Sequence, residues 1–127
     1  MEQRSIATDS KGSFKNLVLW QRAVELSLAI YKLTGSFPSS ERFGLTNQLR
    51  RASVSVASNI AEGYGRSTRG EYIQFLGHAR GSNCELQTQL VIASSLRMGT
   101  ETELKRAEGL AQEVARMLVA LMKRLRS

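Results

Sequence analysis

The stretch from Arg50 to Leu90 constrains this chain most. It reads RRASVSVASNIAEGYGRSTRGEYIQFLGHARGSNCELQTQL, with small residues where a helical hairpin normally carries bulk. Ser53, Ser55, Ala57, Ser58, Asn59 and Ala61 crowd one segment, and Gly77, Gly81 and Ser82 the next. The distance between packed helices is set by the side chains at their contact, so small ones bring backbones together. The pattern predicts helices packed on more than one side. It speaks of architecture and assembly before it speaks of activity.

Turn signals divide the rest into four helical segments. The first is expected from about Leu17 to Thr34, with Asn16 as N-cap and Gly35 just beyond its end. Leu17, Trp20, Val24 and Tyr31 recur at helical spacing there, with Ala23, Leu26, Ile30 and Leu33 widening the stripe. Gly35 to Ser40, containing Phe37-Pro38, reads as a turn. The second helix then runs to about Glu62 on Leu45, Leu49, Ala52, Val56 and Ile60. Ser53-Val54-Ser55-Val56 alternates as a strand would, but the helical stripe continues on both sides and wins. Gly63, Gly65 and Gly70 mark the next break.

Thr68 and Glu71 form a capping box that opens the third helix, with the Glu71 carboxylate reaching back to free N–H groups. That helix is expected to reach about Met98, with Tyr72, Phe75, Leu76, Ala79, Leu86, Leu90 and Ala93 inward and Gly99 as its stop. Thr100 and Glu103 make a second box, and the fourth helix runs to the end with Leu104, Ala107, Ala111, Val114, Leu118, Leu121 and Leu125 inward. Short connections between long helices force neighbours to be antiparallel. The expected fold is all-α, an up-down-up-down antiparallel four-helix bundle over residues 14–127.

A chain of 127 residues supports one such domain. Residues 1–13 are polar, lack the apolar core of a secretory signal, and read as a flexible N-terminal tail. No apolar run approaches a membrane span. Cys84 is the sole cysteine, which rules out a disulfide within the chain and a cysteine-based zinc site. A cytoplasmic protein with no membrane partner is the natural expectation.

Two helices carry more apolar surface than one bundle needs. Val54, Ala57 and Ala61 lie roughly opposite the second helix's core stripe, by the ~100° step per residue. Arg51, Ser55, Ser58 and Glu62 run between the two faces. On the third helix Ile92 and Leu96 extend past the core stripe, beside Ser82, Glu85 and Gln89. A second face of small and apolar residues is what a homo-oligomer interface requires. The expected interface is Arg51, Val54, Ser55, Ala57, Ser58, Ala61, Glu62, Glu85 and Gln89. Arg51 and Glu62 lie roughly 16 Å apart along one helix. They cannot pair within it, so each is expected to find its partner on another helix or subunit.

The sequence also resembles a known family. The motifs are Leu17 with Trp20, Phe37-Pro38, Phe43-Gly44-Leu45, Gln48-Leu49-Arg50-Arg51-Ala52, Ser58-Asn59-Ile60-Ala61-Glu62-Gly63 and Glu85-Leu86-Gln87-Thr88-Gln89-Leu90. Together they resemble the four-helix-bundle proteins encoded within intervening sequences of 23S rRNA genes, over about Phe14 to Gly99. Asn16 stands where the family usually has aspartate, and Ala57 where it usually has proline, so a proline kink in the second helix is not expected. The resemblance implies a pentameric ring of bundles. It also implies kinship with the accessory protein of diversity-generating retroelements, a basic pentamer that works with a reverse transcriptase and nucleic acid. The family has no general biochemical role to carry over.

No catalytic constellation is present. His78 is the only histidine, so no His-based metal site or Ser-His pair can be built in one chain. It reads as a hydrogen-bonded interface residue, and nothing near Cys84 argues for an activated thiolate. Gly63-Tyr64-Gly65-Arg66 looks like a phosphate-cradling loop only superficially, because it follows a helix and lacks the lysine spacing. No enzyme activity, cofactor, metal or small-molecule substrate is expected.

Charge is the property that points to a partner. Eighteen Lys and Arg against eleven Asp and Glu give a net +7 and a pI near 10.2. Such a balance favours polyanions, RNA, DNA or a nucleoprotein first. On the fourth helix Lys105, Arg116 and Lys123 share a face with Gln112, and Arg50, Arg66 and Arg69 are expected to gather around the helix 2–3 turn. These six are the nucleic-acid-binding candidates. Glu101, Glu103, Glu108 and Glu113 dilute the helix 4 row, and a protein–protein scaffold whose charge serves solubility is the alternative.

Overall fold

The computed structural model describes residues 12–127. Its order is α1 (Val18–Thr34), α2 (Leu45–Tyr64), α3 (Arg69–Ser95) and α4 (Glu101–Arg126), with 3-10 turns at Phe14–Asn16 and Ser39–Glu41. Each helix packs on its sequence neighbours and α4 closes back on α1, while α1 and α3, or α2 and α4, do not meet. That is the square arrangement of an up-down-up-down bundle. Of the expected tail, residues 1–11 lie outside the described residues. Ser13 belongs to the fold, because its hydroxyl accepts from the Lys15 N–H at 3.1 Å.

Leu26, Ile30, Leu33, Leu49, Ile60, Leu76, Leu86, Leu90 and Leu118 are almost wholly buried along the central axis. Each such side chain contributes about 1.5–3 kcal/mol. The ion pairs, such as Arg22 to Glu113 across α1 and α4 at 3.3 Å, join partly exposed groups and are worth about 0–1 kcal/mol each. The apolar axis therefore holds the bundle.

Both capping boxes form. Thr68 accepts from the Glu71 N–H at 3.1 Å and Thr100 from that of Glu103 at 3.2 Å. The carboxylates turn to the threonine hydroxyls, accepting at 3.1 and 3.0 Å, rather than to backbone N–H groups. The start of α1 and the end of α3 differ from expectation. Asn16 lies in the first 3-10 turn and the N-cap of α1 is Leu17, with no side-chain bond. Ahead of α2, the Glu41 carboxylate accepts from the Leu45 N–H at 3.0 Å. At the end of α3, Met98 donates to the Ala93 carbonyl and Arg97 to that of Ser94, so the helix closes before Gly99.

The core faces differ too. On α1 it is Leu19, Ala23, Leu26, Ala29, Ile30 and Leu33 that are buried; Trp20 and Val24 are partly exposed and Tyr31 is 46% exposed. On α3, Tyr72 and Phe75 are half-buried, and Asn83 and Gln89 join the core. On α4, Leu110 and Met122 are buried while Leu121 and Leu125 only lean on the core.

The small residues of α2 seat it between two neighbours. The Ser53 and Ser27 hydroxyls share a hydrogen bond at 3.1 Å across to α1, and Ser55 and Ser82 share one at 2.9 Å across to α3. Asn59 donates to Ser55 Oγ at 3.0 Å. The apparent strand alternation is thus a helix with a polar seam on each flank, Val56 inward and Val54 outward. α2 runs unbroken through Ala57.

Candidate assembly and nucleic-acid surfaces

Val54, Ala57, Ser58 and Ala61 do lie together, and the wall facing them is on α1. With Trp20, Val24, Ser27 and Leu28 they line an open, largely apolar groove between α1 and α2. Leu28 is 59% exposed and Val54 44%. Toward the α1–α2 loop the groove continues past Tyr31, Asn47, Arg50 and Arg51. On α3, Val91, Ile92 and Leu96 are also exposed. Sequence reasoning missed the α1 wall because Trp20 and Val24 were assigned to the core. The available signal was a helix apolar over more than half its circumference.

Three interface candidates, Ser55, Gln89 and Glu62, are placed differently from expectation. Ser55 is engaged with Ser82 inside the chain. Gln89 is already buried in its own bundle, with Oε1 unpartnered. Glu62 pairs with Arg66 one turn on, at 3.1 Å, so it needs no other helix or subunit. Glu85 and Arg51 are exposed, and neither is ion-paired among the described residues.

The arginines do not gather as expected. Arg50 sits in the first half of α2, where its Nε donates to Thr34 Oγ1 at 2.9 Å and its guanidinium lies 4.5 Å from the Tyr31 ring centre. It braces α1 against α2, far from the α2–α3 turn. Arg66 and Arg69 are at that turn and exposed, Arg66 lying over the Phe75 ring at 4.5 Å. His78 is exposed and meets Phe75 edge-on at 5.7 Å. Lys105, Arg116 and Lys123 are exposed along α4; Lys105 pairs with Glu101 at 3.3 Å, while Arg116 and Lys123 have no ion pair among the described residues.

Burial chiefly raises the Tyr72 phenol above its ordinary value, as does neighbouring Tyr64, while Arg124 acts the other way. Cys84 is exposed. Among the described residues no group of His, Cys, Asp and Glu could hold a metal, and no helix is long and apolar enough to cross a membrane.

These surfaces and this fold define a class: a small basic helical bundle with an open apolar groove along one side. The chain belongs to the family of 23S rRNA-intervening sequence proteins, whose profile matches residues 15–120. It is similar to a solved protein of unknown function from the S23 ribosomal protein family of Bacteroides thetaiotaomicron. The TM-score is 0.74 at 19% identity, covering 83% of this chain and 98% of that one. At that identity the likeness shows the fold. No curated protein matches the chain.

Proposed function

We propose that this chain is a non-enzymatic, homo-oligomeric bundle that binds nucleic acid or a nucleoprotein through basic surfaces. The observation that carries self-association is the α1–α2 groove, whose Trp20, Val24, Leu28, Val54, Ala57 and Ala61 lie open along one flank. A second copy covers such a face at the cost of few desolvated charges. The groove and the exposed Ile92 and Leu96 of α3 are different surfaces, so joining one to the other is head-to-tail, which gives a ring where the rotation between copies closes and a filament where it does not. Five subunits is the count the family resemblance implies.

Nucleic-acid binding is supported by the net charge of +7 and by Arg116 and Lys123, exposed on α4 and without an ion pair among the described residues. A ring repeats that row in every subunit, which multiplies a weak phosphate contact. Affinity for mixed RNA and DNA is expected to fall steeply with salt, because each neutralised phosphate releases about one counterion. Changing Lys105, Arg116 and Lys123 together to Gln is expected to weaken RNA and DNA binding alike and flatten that slope. Sequence preference is expected to be weak, since no element is shaped to read base edges. Absence of binding at low salt, where attraction is least screened, would leave a protein–protein scaffold as the function.

A further inference from the structure

Net positive charge is unequally shared between the two ends of the bundle. Antiparallel order brings the start of α1, the α2–α3 turn and the last turn of α4 to one end. Their proximity is direct: Arg124 acts on the Tyr72 phenol and also lines a groove with Leu17 and Val18. Lys15, Arg66, Arg69, Lys123, Arg124 and Arg126 are all exposed there, and among the described residues the side-chain carboxylates at that end are those of Glu62 and Glu71. At the other end Glu41, Glu101, Glu103 and Glu108 offset a similar set of cations.

Helix-dipole stabilisation accounts for only part of this. Lys123, Arg124 and Arg126 lie in the last turn of α4, where a cation is favoured. Arg69 is the first residue of α3, at the positive end of that helix, where a cation is disfavoured. Placing both groups at one end concentrates positive charge at a cost, and an anion bound there offsets it.

The same end carries aromatic rings. Tyr64 closes α2, partly exposed, and meets Tyr72 edge-on with centroids 6.1 Å apart and planes at 81°. Tyr72 packs on the core and so fixes the neighbouring ring. A held, partly exposed ring among arginines is what stacks an unpaired base while cations hold the flanking phosphates.

We propose that this end of the bundle binds single-stranded nucleic acid, with Tyr64 stacking on a base and Arg69, Arg124 and Arg126 contacting phosphates. This rests on the polyanion-binding reading above and names its substrate class. A duplex keeps its base faces covered, and a blunt bundle end offers no helix or ribbon to enter a groove.

The test titrates the full chain at low salt with labelled oligo(dT), oligo(U), a duplex of matched length, and vesicles of phosphatidylcholine with phosphatidylglycerol. Single strands are expected to bind tighter than the duplex. Tyr64→Ala should weaken single-strand binding roughly five- to a hundred-fold, the loss of one stacked base, whereas Tyr64→Phe keeps the ring face and the affinity. Arg69→Gln with Arg126→Gln, both at exposed positions, should lower the single-strand salt slope by roughly 1.4, and carries the test should Tyr64→Ala fail to fold. Equal or tighter duplex binding, an unchanged affinity in folded Tyr64→Ala, or binding to vesicles but not oligonucleotides would overturn this site alone. Silence with every polyanion would overturn the broader reading as well.

Discussion

Arg97 holds a backbone position that glycine usually fills. Its φ is +56°, and its N–H and that of Met98 satisfy the last carbonyls of α3. A side chain in the left-handed region costs about 1–2 kcal/mol, yet the 3.0 Å bonds to Ser94 and Ala93 hold it there. Arg97→Gly is therefore expected to raise stability by about 0.5–1 kcal/mol, because the same bonds form without the Cβ crowding. Urea unfolding at fixed protein concentration measures this, and a loss of stability would mean the arginine makes a contact that outweighs its strain. Asn83 is a second residue with a local logic of its own. Its Nδ2 donates to the Ala111 carbonyl at 2.9 Å in the core, while Oδ1 has no partner. The donated bond ties α3 to α4, while the desolvated, unpartnered Oδ1 offsets part of its contribution.

Among the elements, the helix starts at Thr68 and Thr100 were legible because a capping box is a local arrangement of four residues. The end of α3 was not, because nothing in the residue type of Arg97 announces a left-handed conformation. The core face of α1 was misread for a different reason. Its apolar residues cover both the bundle axis and the groove, so periodicity alone does not choose between Leu19 and Trp20. For the same reason the outer face of α2 was legible as an interface candidate while its α1 wall was not. Arg50 was grouped with the turn by chain order, although the rise of the helix carries it away. Gly63 shows how closely α2 and α3 meet: an added Cβ would stand 2.9 Å from the Phe75 Cβ and 3.2 Å from the Tyr72 carbonyl oxygen. Gly63→Ala is expected to push these helices apart at a cost of about 1–3 kcal/mol, read as a lowered urea midpoint. A variant as stable as the native chain would show that the contact is looser than its geometry.

For the whole molecule, an antiparallel bundle with a buried axis still leaves an apolar groove and an exposed α3 ridge to solvent in a single chain. Joining those two surfaces between copies is what would multiply the cations of each subunit. The chain's sole histidine and sole cysteine are exposed, one against Phe75 and the other without an activating neighbour near it in sequence. Neither competes with assembly as the organising feature.

The most direct test is the native mass of the full chain at micromolar concentration, measured beside Ala61→Arg. Ala61 lines the groove and is only partly exposed, so an arginine there places an uncompensated charge in any interface that covers it. The native chain is expected to be a closed oligomer, of five subunits by family resemblance, and Ala61→Arg a monomer of unchanged helicity. A monomeric native chain, or an assembly that Ala61→Arg leaves intact, would contradict this expectation.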